Sequence, residues 1–143
     1  MDDEPLTPDR QRDSVSRAQK QWRTGAGAPF VIADAADDRP LGIVNLQFGK
    51  DKEVGGLAVA VFPQERGRGV ASQALRLAAI WGLRQLGLRR VFAEAAAGNQ
   101  ASIRAIEKAG FQREGILRAH CKTHGERHDC IMFSLLPQDI DPG

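Results

Sequence analysis

The chain has 143 residues, 42% hydrophobic and 27% charged, which suits one globular domain with a packed core and gives no sign of a second. A formal net charge of +2 is too small to argue for nucleic acid or an anionic membrane as partner, and no basic block reaches the length of an interaction tail. No stretch has the roughly 18 apolar residues of a membrane span. The acidic start Met1-Asp2-Asp3-Glu4-Pro5 lacks the layout of a signal peptide, and two cysteines do not make a secreted disulfide framework, so a cytoplasmic location is expected.

In chain order, residues 1–10 read as a loose polar segment, 11–139 as one domain and 140–143 as a tail. Residues 11–23 suit a short, mostly polar helix with Val15, Ala18 and Trp22 as its few apolar positions. Gly25-Ala26-Gly27-Ala28-Pro29 then breaks the chain. Phe30–Ala33 and Leu41–Phe48 read as strands around the turn Asp37-Asp38-Arg39-Pro40. After a second turn at Lys50-Asp51-Lys52, residues 54–62 form a third strand whose apolar run predicts burial on both faces. Val70–Leu86 reads as a helix with one polar stripe (Ser72, Gln73, Arg76, Arg84), ended by Gly87. Arg90–Ala96 is a fourth strand. A second helix follows, capped by Asn99 and closed by Gly110, with Phe111 packing back on Ile106. Phe111–Ala119 and Arg127–Leu136 pair as an antiparallel hairpin around His124-Gly125-Glu126. The fold class is thus α/β with α+β layering: a mixed, mainly antiparallel sheet flanked by helices.

The most informative stretch is Gln64-Glu65-Arg66-Gly67-Arg68-Gly69-Val70-Ala71, between the third strand and the first long helix. Two glycines one residue apart at a strand-to-helix turn let the backbone approach a ligand and aim its N–H groups outward. The helix adds the positive end of its dipole, so the turn suits phosphate, and Arg66 and Arg68 add positive charge. A dinucleotide-binding turn wants a third glycine where Ser72 stands, and a Walker loop wants a different spacing and a Lys-Ser/Thr pair. What remains is Gln/Arg-x-x-Gly-x-Gly/Ala, matched by Gln64, Gly67 and Gly69.

That pattern resembles the pyrophosphate loop of the GNAT superfamily of acyl-CoA N-acyltransferases. A second stretch strengthens the resemblance. Asn99-x-x-Ser102 followed by Glu107-Lys108-x-Gly110-Phe111-x-x-Glu114-Gly115 is similar to the branch containing the ribosomal-protein N-terminal acetyltransferases, as are Gly125-x-x-x-Asp129 and Ser134-Leu135-Leu136-Pro137. The similarity runs from about Trp22 to Asp139. It implies acetyl-CoA as co-substrate and an amine acceptor, either a protein N-terminus or a small molecule. It further implies that Val59, Ala60 and Val61 bond the pantetheine arm and that Arg66, Gly67, Arg68, Gly69, Val70 and Ala71 hold the pyrophosphate. Asn99 would contact the CoA arm, a role compatible with helix capping, and Ser102 would either make a local capping bond or act near the thioester.

Acetyl transfer asks for a base to free the amine, a donor for the oxyanion and a proton for the thiolate. A backbone N–H near Val61 suits the oxyanion. Glu94 is the candidate base, because alternation puts it with Phe92 on one face of a central strand, where a carboxylate amid Val, Phe and Ala is unusual. Its alternatives are a solvent-facing strand end, or a pair with Arg89 or Arg118. Many family members carry a tyrosine as acid where Ile106 stands, and this chain has no tyrosine, which leaves Ser102 or water. The family's usual first strand has no counterpart ahead of residues 11–23, so an exposed sheet edge and a homodimer are expected, and a non-catalytic CoA-binding module is the alternative function. Cys121-x-x-His124-x-x-x-His128-x-Cys130 has zinc-type side chains without a common finger spacing, so no metal and reduced thiols are expected.

Overall fold

Why two glycines stand together at Gly55-Gly56 becomes clear once the strands are placed. A computed structural model describes residues 27–140. The segments read as loose (1–10) and helical (11–23), and the matter of a preceding strand, lie outside those residues. The elements are β1 (Gly27–Ala33), β2 (Pro40–Phe48), β3 (Val54–Val61), α1 (Val70–Gln85), β4 (Arg90–Ala96), α2 (Gln100–Lys108), β5 (Gln112–Thr123), β6 (Glu126–Leu135) and α3 (Pro137–Ile140). They build a six-stranded sheet in the order β1-β2-β3-β4-β6-β5. Every neighbouring pair is antiparallel except β3 with β4, which are parallel and pair only at Val54–Arg90, Gly55–Val91 and Gly56–Phe92. A side chain on Gly55 would meet Leu46 Cδ1 at 2.7 Å, and one on Gly56 would meet Phe92 Cζ at 2.6 Å on the opposite face. The two glycines let large apolar groups close over this joint from both sides.

The core lies on one face of the sheet. Val44, Leu46, Leu57 and Val59 from β2 and β3, with Val91, Phe133 and Leu135 from β4 and β6, pack against Leu75, Ala78, Ala79 and Leu83 of α1 and Ile103 and Ile106 of α2. Phe30 meets Trp81 edge to face, with ring centroids 5.1 Å apart. Burial along β3 therefore alternates, with Leu57, Val59 and Val61 buried and Ala58 exposed. That corrects the expectation of burial on both faces: α1 and α2 both cover the same side. Ser72 is also buried, with Oγ donating to the Gly69 carbonyl at 3.1 Å, so it leaves the polar stripe of α1.

Several boundaries differ from expectation, three of them for physical reasons. The break at residues 25–29 gives way to strand at Gly27, since β1 is the outermost described strand and an edge tolerates Pro29. β5 continues to Thr123, past Ala119, because register shifts between Leu117 and Cys121 re-establish the ladder. Ile140 sits in the turn α3, where Asp139 accepts from the Leu136 amide, and packs on the core rather than starting a tail. The end of α2 is as expected: the Phe111 amide bonds to Ile106 O and the Gly110 amide to Glu107 O, two carbonyls the helix end would otherwise leave unpaired. No described helix is long and apolar enough to cross a membrane.

At the start of β4, Arg90 donates to both Glu114 oxygens at 2.9 and 2.6 Å, and the buried Ser134 hydroxyl donates to Glu114 Oε2 at 2.9 Å. These bonds tie β4, β5 and β6 together. The Arg90 hydrogen bond holds Glu114 below its ordinary range; partial burial opposes it, while Ser134 and the arginine charge add to it. A depressed folded value means the stabilisation is present above the unfolded carboxylate's pKa and fades as pH falls through the folded one. Because the pair is partly exposed, Glu114→Gln should cost only about 0.5–1 kcal/mol at neutral pH. Urea unfolding should show the difference shrinking below about pH 4; a gap that stays constant down to strong acid would rule this coupling out.

Candidate active site

β3 stays in the β2 ladder through Val61, while β4 follows β6, so the two parallel strands separate beyond Gly56 and Phe92. Val59, Ala60 and Val61 therefore line one side of an opening whose other side is the C-terminal part of β4. At its top, Pro63–Glu65 forms a single 3-10 turn, and the chain reverses through Gly67 (φ +82°) and Gly69 (φ +76°) into α1. Both angles fall where a Cβ is strained, which is why glycine is needed there. Gly69 is the N-cap and brings no side chain to cap the helix; the Gln73 amide makes the first helical bond, to Gly69 O at 3.2 Å. The amides of Val70 and Ala71 thus lack acceptors within the helix and stand at its positive end.

The arginines of this turn are engaged with the protein. Glu65 is only 2% exposed, and its two oxygens take Arg68 Nη1 at 2.6 Å and Arg39 Nη1. Arg66 Nε donates to the Val61 carbonyl at 3.2 Å. Sequence reasoning noticed the arginines but not the buried acid that fixes them. It also treated Lys108 only as part of a motif, although Lys108 Nζ lies 3.8 Å from where a Gly69 side chain would begin. The last turn of α2 thus delivers a cation to the glycine turn. Only the sheet order, which brings α2 beside α1, makes that visible.

Beyond β4, the Ala97 and Asn99 amides bond to Asp129 O and Ala96 O, folding the chain tightly into α2. Asn99 Oδ1 accepts from the Ser102 amide at 3.1 Å, the capping bond expected of it. Its Nδ2 is a separate donor group, so capping and ligand contact are compatible. Ser102 is buried at the first turn of the same helix.

Glu94 lies with Phe92 on the sheet face away from α1, as alternation predicts. Its partner is neither Arg89 nor Arg118 but His120, whose Nε2 is 3.1 Å from Glu94 Oε2; Arg89 instead faces Glu53. The cause is the irregular stretch of β5, where Ala119 adopts φ +52°, its amide bonds Asp129 Oδ1 and its carbonyl accepts from Arg127. A cavity of about 500 Å³ borders Glu94 and Phe92 and is lined also by Phe48, Lys50, Asp51 and Gly56. On the same face, Cys121 and Cys130 are joined across the hairpin with Cα atoms 5.6 Å apart, where free thiols were expected. His124 occupies the hairpin tip at φ +52° beside Gly125. The zinc-type quartet of the sequence therefore separates: the tip histidine stays apart, while Glu94, not part of the spacing, joins the two cysteines.

The same fold is found in solved acetyltransferases. The ribosomal-protein-S5-alanine acetyltransferase of Vibrio fischeri superposes with a TM-score of 0.77 over 95% of this chain and 79% of that one, at 19% identity. A spermidine N-acetyltransferase of Vibrio cholerae gives 0.78 over 92% and 78%, at 20% identity. At that identity the likeness establishes the fold. In sequence, the family model described as acetyltransferase (GNAT) domain matches residues 1–112. The probable N-acetyltransferase YjcK of Bacillus subtilis is 30% identical over 139 residues, covering 96% of this chain and 77% of that protein. The chain belongs to the GNAT family and is an acetyltransferase.

Removing the buried anchor of the glycine turn gives a direct check of this geometry. Glu65→Ala should lower stability by roughly 1.5–3 kcal/mol, the range for hydrogen bonds to charged groups. Chemical denaturation would measure it, and an unchanged midpoint would show that the two arginines do not depend on Glu65.

Proposed function

We propose that this chain moves acetyl from acetyl-CoA to a primary amine by direct attack. The observation that carries the reading is the separation of β3 from β4, with a phosphate-type helix start at its top and Glu94 with its cavity on the neighbouring face. The Val70 and Ala71 amides, the α1 dipole and Lys108 suit the pyrophosphate. The outer edge of Val59–Val61 suits the pantetheine amides, with Asn99 on the opposite side of the arm.

In the reaction, the amine nitrogen attacks the thioester carbonyl carbon and a backbone N–H near Val61 receives the oxyanion. Glu94, in contact with His120, takes the proton the nitrogen loses. The C–S bond then breaks and the thiolate collects a proton, with Ser102 as the candidate donor. The products are the amide and free CoA. The acceptor cavity carries two carboxylates, Asp51 and Glu94, against one lysine, over the rings of Phe48 and Phe92. That balance suits a cationic amine next to an apolar group. Of the two solved neighbours, one is named for a ribosomal-protein alanine and the other for spermidine.

Release of free thiol from acetyl-CoA in the presence of an amine panel tests the reading. CoA binding with no turnover on any peptide or polyamine would instead support a binding module. Glu94→Gln should lower kcat about 100-fold or more while leaving the KM for acetyl-CoA unchanged; retained kcat would remove Glu94 as base. Lys108→Ala should raise the KM for acetyl-CoA roughly fivefold, about 1 kcal/mol for a solvent-exposed charge. That effect should shrink in high salt, and an unaltered KM at low salt would place Lys108 outside the cofactor site.

A further inference from the structure

One group of side chains goes beyond what acetyl transfer requires. Ligand atoms of Glu94, Cys121 and Cys130 all lie within 4.8 Å of one another. Pairing explains the convergence. Ala96 faces Cys130 and Glu94 faces Met132 across the β4–β6 ladder, so Glu94 and Cys130 share a sheet face. Cys121 faces His128, two residues before Cys130, and therefore shares that face as well. On a regular β5, with Leu117 opposite Cys130, position 119 would stand opposite His128; the register shift puts Cys121 there instead. Asp129 and Arg127 hold the irregular turn in place through the Ala119 amide and carbonyl. Cys130 is fully buried, and His120 fixes the carboxylate of Glu94.

We propose that, with the Cys121–Cys130 bond reduced, the two thiolates and the Glu94 carboxylate bind a zinc-class divalent cation. Reduction by a dithiol breaks the S–S bond: two electrons and two protons pass to the sulfurs, and the dithiol leaves as a disulfide. Binding the cation then releases the two thiol protons to solvent. Two sulfurs select a borderline-soft ion over calcium or magnesium, which prefer oxygen. Three protein ligands leave one tetrahedral position for water. His120, bonded to the ligating carboxylate, is the outer-shell partner that orients it. The cation and the acceptor amine would compete for the same carboxylate, a consequence that rests on Glu94 being the base; the binding itself does not.

The test uses the full chain, reduced and kept free of oxygen, with Co2+ and Zn2+ as probes. Co2+ should give a thiolate-to-metal charge-transfer band that about one equivalent of Zn2+ abolishes. In the unaltered protein, Zn2+ should protect both thiols from alkylation, a readout that needs no variant. C121S and C130S should each lose the band while keeping the circular dichroism of the parent. Glu94→Gln should weaken Zn2+ binding about 10- to 100-fold. Thiols that alkylate at one rate with and without Zn2+, or Co2+ uptake without the thiolate band, would overturn the site. So would Zn2+ affinity indifferent to Glu94. Each of these readings is independent of acetyl transfer, so failure of one proposal leaves the other standing.

Discussion

Three residue pairs join the two halves of this molecule, and the rest of the architecture depends on how short that joint is. β1, β2 and β3 form one antiparallel half-sheet; β4, β6 and β5 form another. Each middle strand takes its register from its antiparallel partner over six or more pairs, against three between β3 and β4. Strand twist rotates the halves away from one another as soon as the joint ends. The separation exposes backbone groups that a continuous sheet would consume, and unpaired backbone needs a partner. Along Val59–Val61 the proposed pantetheine arm, rich in amides, would supply such partners. The joint itself survives because Gly55 and Gly56 admit Leu46 on one face and Phe92 on the other, so apolar packing replaces the missing ladder.

The same geometry explains the position of the glycine turn. β3 ends at Val61 at the open end of the separation, and α1 must cross back over the buried face formed by Leu46, Leu57 and Val91. The reversal is made by two residues at positive φ, and Glu65 ties it to Arg68 and Arg39. A carboxylate that is almost wholly buried is costly unless paired and hydrogen-bonded. Here two half-exposed guanidiniums supply the pairing, one from the turn itself and one from the residue just before β2. Arg68 and Arg39 thereby act on the turn's shape, and the start of α1 and Lys108 add positive potential beside it.

What the sequence made legible was whatever is local. The glycine spacing, the limits of α1 and β4, the Asn99 cap and the paired bonds closing α2 at Gly110 depend on residues within a few positions of one another, so pattern and propensity suffice to read them. The alternation that placed Glu94 with Phe92 belongs to the same class. Burial of β3 was misread because an apolar run does not say how many faces are covered. β1 was started late because Gly27-Ala28-Pro29 has turn composition, although the outermost described strand accepts it. Lys108 beside Gly69, Arg39 on Glu65 and His120 on Glu94 join positions between 26 and 39 residues apart in sequence. No local rule connects such residues.

That contrast divides the candidate site in two. The side proposed for the donor is made of backbone: strand edge, glycine turn and helix ends, whose chemistry is the same in any chain that folds this way. It is therefore announced by short motifs. The side proposed for the acceptor is made of side chains from β2, the turn after it and β4, with His120 brought to Glu94 by the irregular stretch of β5. Glu94, Phe92 and Asp51 set its charge and shape, and no motif fixes them as a group. Side chains at residues 50, 94 and 120 can vary without touching the glycine turn or the Gly55–Gly56 joint, whereas Phe92 packs on that joint and is tied to it. The convergence of Cys121 and Cys130 on Glu94 likewise depends on the irregular stretch of β5 and is announced by no short motif.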